Sequence, residues 1–331
     1  MSIGLLLRRG LASGLGALAT LAALVAEPVL AQEIWPSRPV RVLVGFPAGT
    51  SSDIVARIYA QRLSEQLGRQ FVIDNRVGFS SNLAAEAVAK AAPDGYTVLL
   101  ATVANTIGAS LFRKLAFDVV ADFVPVAIVA SAPNILVVSP RLGLSTVSEF
   151  IALARREGAQ LDFGSAGNGT APHLSGELFN MMTGARLVHV PYKGNSQGLV
   201  DLAEGRLAAI FAPAPTVAGF LKEGRVKALA TTGSQRSALV PDLPTIAESG
   251  LAGFDTSIWY GFLAPRGTPA AIVRAMSVVL IQANERAEVR SALAASGAEP
   301  LTRGPDEAAR FVREDVRKWA PVVEFARLST D

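Results

Sequence analysis

The chain has 331 residues, half of them hydrophobic, and its 31 basic and 28 acidic side chains leave a formal net charge of +3. This nearly balanced charge argues against a nucleic-acid-binding protein, which concentrates Lys and Arg on one face. The sequence contains no Cys, so disulfides, thiolate nucleophiles and thiolate metal sites are all excluded. A chain of this length is long enough for two domains, each with its own hydrophobic core.

The amino terminus has the three parts of a secretory signal peptide. Arg8 and Arg9 precede an apolar run over residues 11–25, and Val29-Leu30-Ala31 supplies the small residues of a cleavage site. The run is shorter than the roughly 20 apolar residues of a membrane-spanning helix, and no Cys follows it for a lipid anchor. We therefore predict an exported, periplasmic protein that is cleaved after Ala31. Both the Sec and the twin-arginine export routes stay open.

The first third of the mature chain alternates strand-like and helix-like segments. Val55, Tyr59, Leu63 and Leu67 are spaced four apart on one helix face, and Gly68 is a suitable stop. The predicted order is strand 40–44, helix 53–67, strand 71–73, helix 83–92 and strand 97–101. This β-α-β-α-β order predicts a largely parallel sheet with helices on both faces.

The alternation restarts after residues 124–133, to which no element is assigned. Strands are predicted at 135–138, 161–163, 187–190, 207–211 and 226–231. Helices are predicted at 146–155, 172–182, 196–204, 269–285 and 306–325. Two such series with a helical tail suit a two-lobed α/β binding fold. We expect residues 32–131 and 255–331 to form a discontinuous first lobe and residues 132–254 the second, with the ligand cleft between them.

Two Gly-containing loops that lead from a strand into a helix are the candidate ligand site. In open α/β sheets ligands bind beyond the carboxyl ends of the strands, where the free N–H groups of a helix amino terminus favour an anion. In the first loop, residues 46–53, Asp53 is either a helix N-cap or an acceptor for the ligand. The second loop, residues 164–170, lacks the Lys-Ser/Thr of a P-loop. It is either a cradle for a carboxylate or a tight turn that requires Gly.

The chain has two His residues, His173 and His189. No H-E-x-x-H motif or close cluster accompanies them, so no metal site is predicted. We expect His173 to line the cleft or to support the second loop, and His189 to be a strand residue. Ser165 with His173 leaves an exported hydrolase open as an alternative, although the chain has no G-x-S-x-G elbow.

Short motifs follow one another in a specific order along the mature chain. They are Trp35-Pro36-Ser37-Arg38-Pro39-Val40-Arg41, the loop 46–53, Asp74-Asn75-Arg76-Val77-Gly78, Pro93-Asp94-Gly95-Tyr96-Thr97, Gly167-Asn168-Gly169-Thr170 with His173-Leu174, His189-Val190-Pro191-Tyr192-Lys193-Gly194, Pro241-Asp242-Leu243-Pro244-Thr245 and Ala264-Pro265-Arg266-Gly267-Thr268-Pro269. As an ordered set they resemble the Bug proteins, the substrate-binding receptors of tripartite tricarboxylate transporters. The chain departs from the family at Ala48-Gly49-Thr50, where Pro-Gly-Gly is usual, and at Gly78-Phe79-Ser80-Ser81, where a Gly-rich stretch is usual.

The resemblance implies an α/β, two-lobed periplasmic binding protein fold of the Venus-flytrap type (type II-like), with the C-terminal helices packing on the first lobe. It also implies that backbone N–H groups and ordered waters capture a carboxylate, with no cofactor and no metal. Carried onto this sequence, the ligand-binding residues are Phe46, Ala48, Gly49, Thr50, Ser51 and Asp53 in the first loop, Thr102 and Asn105 in the loop after the third strand, Ser165, Gly167, Gly169, Thr170 and His173 around the second loop, and Tyr192 and Asn195.

The leading hypothesis is a periplasmic solute-binding receptor, not an enzyme, that captures a small carboxylate such as an organic acid or an amino acid. Its partners would be the integral-membrane subunits of a tripartite tricarboxylate-type transporter, and we expect a monomer. One alternative is a receptor that reports to a two-component system instead of a transporter. The exported hydrolase is the less favoured alternative. The sequence leaves the identity of the ligand open.

Overall fold

The computed structural model describes residues 35–156 and 158–328. The predicted signal peptide, residues 1–31, lies outside these residues. Within the described residues, no helix combines the length and the apolar character needed to cross a membrane. The two β-sheets formed by the described residues lie in the part of the chain that starts at Arg38.

Eleven strands occur in the described residues, and every strand predicted from the sequence overlaps one of them. They are β1 (Val40–Val44), β2 (Phe71–Asn75), β3 (Thr97–Thr102), β4 (Phe123–Ala132), β5 (Asn134–Val138), β6 (Asp162–Ser165), β7 (Val188–Pro191), β8 (Ala209–Pro213), β9 (Lys227–Thr231), β10 (Ile258–Pro265) and β11 (Glu299–Arg303).

Ten α-helices occur in the same residues, and the predicted helices all overlap one of them. They are α1 (Ser51–Leu67), α2 (Asn82–Ala89), α3 (Val103–Leu111), α4 (Val147–Ala154), α5 (Ala171–Thr183), α6 (Asn195–Ala203), α7 (Ala214–Lys222), α8 (Ala270–Ala283), α9 (Ala287–Ala295) and α10 (Pro305–Phe325). Gly68 ends α1 in the left-handed conformation, as its position predicted.

The strands form two sheets. The first has the order β11-β4-β10-β3-β1-β2, and the second has the order β7-β6-β8-β5-β9. We call the first sheet with α1–α3 and α8–α10 the first lobe, and the second sheet with α4–α7 the second lobe. Only part of each sheet is parallel: β1 with β2 and β3, and β6 with β7 and β8. The β-α-β-α-β series from which a parallel sheet was predicted does pair parallel. The sheets as a whole are mixed, because β4, β10 and β11 in the first and β5 and β9 in the second pair antiparallel.

The chain crosses between the lobes twice, and the two crossings are hydrogen-bonded to each other. The first crossing is Pro133, between β4 and β5, and the second covers residues 232–257, between β9 and β10. The backbone N–H of Asn134 donates to Thr232 Oγ1, and the N–H of Thr232 donates to the carbonyl of Asn134, both at 2.9 Å. The N–H of Thr256 donates to the Thr232 carbonyl at 2.9 Å. These hydrogen bonds hold the two crossings together.

The C-terminal helix α10 packs on the first lobe, against α3 and β4, and it also contacts α5 of the second lobe. Asp315, which is 3% exposed, anchors it. The Asp315 carboxylate accepts hydrogen bonds from Thr106 Oγ1 of α3 at 2.6 Å and from Trp259 Nε1 of β10 at 2.8 Å. Lys318 lies 2.6 Å from the other carboxylate oxygen and balances its charge. One buried carboxylate thus joins three elements of the first lobe.

Several elements have no counterpart in the sequence prediction. They are β4, α3, α7, β10, α9 and β11. The prediction that Thr102 and Asn105 lie in a loop was wrong, because Thr102 is the N-cap of α3 and Asn105 is its third residue. The two side chains form a capping box, in which Asn105 Oδ1 accepts from the Thr102 backbone N–H at 3.0 Å.

Candidate functional site

A cavity of about 410 Å³ lies between the two lobes. Its size is within the range of small-molecule sites. The first lobe contributes Phe46, Thr50, Ser51, Ser52, Ser80, Thr102, Val103, Ala104, Ala132, Ile258, Tyr260, Ser296 and Gly297. The second lobe contributes Ala166, Gly169, Thr170, Ala171, Pro172, Asn195 and Pro213.

Five helices begin at the wall of this cavity. Each of α1, α3, α5, α6 and α7 places its N-cap or a first-turn residue there. The N-caps of α1 and α5, Thr50 and Thr170, make no side-chain hydrogen bond to the backbone N–H groups that follow them. Free N–H groups and aligned helix dipoles give such termini a partial positive charge. The free N–H groups of such termini favour a negatively charged group in the cavity, although no cationic side chain lines it.

No residue that lines the cavity carries a formal charge. Among the described residues that line the cavity there is neither an Arg or Lys that could clamp an anion nor a carboxylate that would repel one. The apolar part of the wall includes Phe46, Val103, Ile258 and Pro213. A site of this kind suits a ligand that has an anionic group and an apolar body.

Asp53 holds the first loop in place. Its carboxylate is 2% exposed and accepts hydrogen bonds from the Gly49 N–H at 2.9 Å, from Arg57 Nε at 2.9 Å and from Asn75 Nδ2 at 3.0 Å. Burial alone would raise the pKa of this carboxyl, but the hydrogen bonds from Arg57, Gly49 and Asn75 hold it below its ordinary value. The N-cap interpretation of Asp53 was wrong, because Thr50 is the N-cap of α1.

The second loop is held by the two imidazoles. His173 Nδ1 accepts a hydrogen bond from the Gly169 N–H at 3.0 Å, and Ser165 Oγ lies 2.7 Å from His189 Nε2. Thr170 Oγ1 donates to the Gly167 carbonyl at 2.7 Å. Gly169 has a φ of +72°, and a Cβ there would lie 2.5 Å from the Leu111 side chain of the first lobe. Only glycine fits at this point, where the two lobes meet.

The geometry around Ser165 differs from the arrangement that the hydrolase alternative needs. The Ser165 hydroxyl is hydrogen-bonded to His189 rather than to His173, and Ser165 is only 1% exposed. Its hydroxyl also donates to the Gly167 carbonyl at 3.1 Å and accepts from the Gly167 N–H at 3.0 Å. Among the described residues, no group of three or more His, Cys, Asp or Glu side chains is placed to hold a metal ion.

Comparison with known proteins identifies the family. Residues 55–328 match the family model of the tripartite tricarboxylate transporter family receptor. The chain belongs to this receptor family. It is similar to protein BugT of Bordetella pertussis, with 36% identity over 301 residues that cover 90% of this chain and 92% of BugT. Receptors of this family are periplasmic solute-binding proteins.

Two solved structures of similar proteins have bound acids. One is an R. palustris protein with adipate, which is 37% identical, covers 89% of this chain and 100% of its own, and superposes with a TM-score of 0.74. The other is MatC from Rhodopseudomonas palustris with bound malate, at 34% identity, 87% and 100% coverage and a TM-score of 0.70. These similarities confirm the two-lobed periplasmic binding protein fold predicted from the sequence.

The receptor's predicted ligand-binding residues divide into two groups. Those that line the cavity are Phe46, Thr50, Ser51, Thr102, Gly169, Thr170 and Asn195. Those that lie outside its lining are Ala48, Gly49, Asp53, Asn105, Ser165, Gly167, His173 and Tyr192. Most of the second group hydrogen-bond to the loops that carry the first. Tyr192 does so through its backbone N–H, which donates to the Ser165 carbonyl at 3.0 Å, while its hydroxyl donates to Asp201 at 2.6 Å. Their direct contact with a ligand stays a prediction.

Sequence reasoning missed the lining residues that other segments bring to the cavity. Ile258 and Tyr260 alternate along β10, and Ala132 ends β4. Burial raises the pKa of the Tyr260 phenol, while a hydrogen bond with Ser51 opposes this rise. Pro213, Ser296 and Gly297 were missed as well, and so was Ser80, which belongs to the segment that departs from the family's Gly-rich pattern. For Ile258 and Tyr260, the signal in the sequence was their alternation within an aromatic-rich run, which is typical of a strand.

Proposed function

We propose that this protein is a periplasmic receptor that captures a small carboxylate between its lobes and presents it to the membrane subunits of a tripartite tricarboxylate-type transporter. The observation that carries the proposal is the convergence of five helix amino termini on a cavity without charged side chains. A carboxylate there would accept hydrogen bonds from backbone N–H groups, and the helix dipoles would favour its charge.

The proposed mechanism is closure of the two lobes around the ligand. We assign residues 32–131 with 255–331 to one closing body and residues 132–254 to the other, with the paired crossings at Asn134 and Thr232 as the hinge. Because both lobes line the cavity, a bound ligand contacts both and favours the closed state. The membrane subunits would recognise that state.

Two further parts of the proposal concern location and catalysis. Export through the predicted signal peptide would place the mature chain, from Gln32, in the periplasm, and the chain would act there as a monomer. The receptor would not be an enzyme, because the Ser165 hydroxyl is buried and satisfied within its own loop. A nucleophile needs an open path to the reacting carbon.

The ligand class follows from the cavity and from the relatives. The wall combines helix termini with apolar side chains, and two similar proteins have adipate and malate bound. We therefore infer an organic acid, and the first experiment is a thermal-shift screen of refolded protein against mono-, di- and tricarboxylates and amino acids. A saturable rise in melting temperature with one class supports the proposal. A flat response to every acid contradicts it.

A pair of variants tests whether the cavity is the binding site. Ala104 is the second residue of α3 and lines the cavity. Ala104→Asp places a carboxylate at a helix amino terminus, where it does not harm folding, but where it repels an anionic ligand. Affinity should fall at least tenfold. The control is Ala271→Asp at the second position of α8, an exposed site outside the cavity, which should leave affinity unchanged.

A further inference from the structure

A second cavity, of about 430 Å³, lies at the hinge. Ser131 and Ser257 line it, whereas the residues that follow them in the chain, Ala132 and Ile258, line the ligand cavity. Ala132 and Ile258 are directly paired between β4 and β10, so they share one face of the sheet. Because successive side chains of a strand point to opposite faces, the two cavities lie on opposite faces of the strands that enter the hinge.

Both crossings and the edge strand β11 form the wall of this second cavity, which we call the hinge cavity. Pro133 belongs to the first crossing, residues 233–236 belong to the second, and Glu299 and Arg303 belong to β11. The Glu299 carboxylate also accepts a hydrogen bond from the Ala238 N–H and so ties β11 to the second crossing. An occupant of the hinge cavity would therefore contact segments that must shift relative to one another when the lobes close.

Arg303 is a cation of the hinge cavity that has no anionic partner among the described residues. Its Nε is buried and has no hydrogen-bonding partner. Its guanidinium lies over the Phe311 ring of α10, with Cζ 4.7 Å from the ring centroid, and this stacking fixes the plane of the group. The other Arg of the wall differs, because Arg236 Nε lies 3.0 Å from the Glu248 carboxylate. Arg303 thus has donors left for a group that enters the cavity.

The rest of the wall suits an oxyanion. It carries the hydroxyls of Ser131, Ser234 and Ser257 and the amide of Gln235, each of which can donate a hydrogen bond. Glu299 is the one carboxylate among the lining residues, and the two Arg side chains outweigh it. A guanidinium binds carboxylate or phosphate oxygens through two parallel hydrogen bonds. This wall differs from that of the ligand cavity, where no lining residue carries a formal charge.

We propose that the hinge cavity is a second binding site, in which Arg303 holds a small oxyanion such as phosphate, sulfate or a short carboxylate. The oxyanion would bridge β11 and the second crossing in the arrangement in which both lobes line the ligand cavity. It would therefore stabilise that arrangement and raise the affinity for the captured acid, and the acid would raise the affinity for the oxyanion by the same factor. This coupling rests on the proposed function, whereas the oxyanion site does not.

The first test measures oxyanion binding while the ligand cavity is blocked. In Ala104→Asp, whose added carboxylate repels anions from the ligand cavity, isothermal titration with inorganic phosphate, sulfate and acetate at constant ionic strength should show saturable binding of at least one of them. Adding Arg303→Gln should weaken that binding about tenfold. Adding Arg303→Lys, which keeps the charge but not the planar fork, should give an intermediate loss.

Arg310→Gln is the matched control. Arg310 is an exposed residue of α10 that lines a neighbouring groove together with Arg303, but it lies outside the hinge cavity. The same substitution at Arg310 in the Ala104→Asp background should leave the oxyanion affinity unchanged.

The second test measures the coupling in the protein with an intact ligand cavity. The affinity for adipate, or for malate where malate binds more tightly, is compared with and without a saturating concentration of the oxyanion. The oxyanion should raise this affinity about fivefold more in the wild type than in Arg303→Gln. Competition by the oxyanion in the ligand cavity affects both proteins equally and cancels from the comparison.

Three results would overturn the inference. If Ala104→Asp bound none of the three anions saturably, the hinge cavity would not be an oxyanion site. Binding that survives Arg303→Gln would place the anion elsewhere. An equal effect of the oxyanion on acid affinity in the wild type and in Arg303→Gln would remove the coupling. A wild type that binds no organic acid would instead overturn the proposed function, and oxyanion binding by Ala104→Asp would still stand, so the two failures are distinguishable.

Discussion

The imidazole rings of His173 and His189 lie face to face, with their centroids 3.6 Å apart and their planes 14° from parallel. They are the two His residues of the whole chain. Each ring is hydrogen-bonded to the second loop, residues 164–170: His173 to the Gly169 N–H and His189 to the Ser165 hydroxyl. Burial, together with the proximity of His173, lowers the pKa of His189 from 6.5 to about 4. The loop is therefore built on a neutral His189.

This stacked pair predicts that stability falls as the pH drops from 6.5 toward 4. The unfolded chain binds a proton at His189 below pH 6.5, while the folded protein excludes it until about pH 4. Stability is therefore complete above pH 6.5, and we expect about 1–2 kcal/mol to be lost below it, since partial exposure screens the effect. Urea unfolding at pH 7.5, 6.5 and 5.5 measures this loss. His189→Gln, which cannot take up the proton, should flatten the profile, and a flat profile in the wild type would contradict the prediction.

Asp53→Asn should destabilise the protein by about 2–3 kcal/mol, because a buried carboxylate that accepts three hydrogen bonds is replaced by an amide that cannot accept them all. Ligand affinity should fall with it, since Gly49 and the start of α1 lose their anchor. Asp74→Asn is the control: its carboxylate pairs with Arg41 and Arg76 but is 33% exposed, so we expect a loss below about 1 kcal/mol. Equal losses in the two variants would show that burial of Asp53 adds nothing.

The segment from Phe79 to Ser81 holds three consecutive non-glycine residues at positive φ, 45°, 51° and 76°. This conformation is unfavourable for residues with a Cβ, and Ser80 lines the cavity within it. We predict that Ser80→Gly is more stable than Ser80→Ala by about 1 kcal/mol, the reverse of the usual order. At Ser148, an exposed position in α4, the Ala variant should be the more stable. Chemical denaturation of Ser80→Gly, Ser80→Ala, Ser148→Gly and Ser148→Ala measures both differences. The same order of stability at the two positions would contradict the prediction.

Gly176 allows α5 to approach the second sheet closely. A Cβ at this position would lie 2.1 Å from Cε2 of Phe163, so Gly176→Ala should cost about 1–3 kcal/mol. It should also weaken ligand binding, because α5 carries Thr170 and Ala171 to the cavity. Gly219→Ala in α7 has open space around it and should be neutral or stabilising by up to about 1 kcal/mol. Similar unfolding midpoints for the two variants would contradict this account.

The parts of the fold that sequence reasoning found have regular local patterns. The four-residue spacing in α1, its stop at Gly68 and the β-branched run of β1 are each visible within a few residues. Helix α3 was missed because Thr106, Ile107 and Gly108 are weak helix formers. Its helical state depends on tertiary contacts instead, such as the bond from Thr106 to Asp315 of α10. Strand β4 was missed because Pro125 argues against a central strand.

The candidate site also has parts that the sequence predicts and parts that it does not. The two Gly-containing loops could be predicted, because a loop of small and hydroxyl residues that leads from a strand into a helix often binds an anion. Ile258 and Tyr260 could not, since they reach the cavity through the pairing of β10 with β3. The pairing of Ser165 with His189 likewise depends on the register of β6 against β7. Such a register joins segments that are far apart in the sequence, and neither segment alone predicts it.

A binding wall made of helix termini has a consequence for how such receptors diversify. Peptide N–H groups are present whatever the side chains are, so neutral substitutions leave in place the groups that we propose bind the negative charge. The side chains around them, among them Phe46, Val103 and Ile258, are then free to vary in size and polarity. Under the proposed function, a receptor for a different acid would arise by the exchange of a few such side chains, while the helix termini that bind the anion stay unchanged.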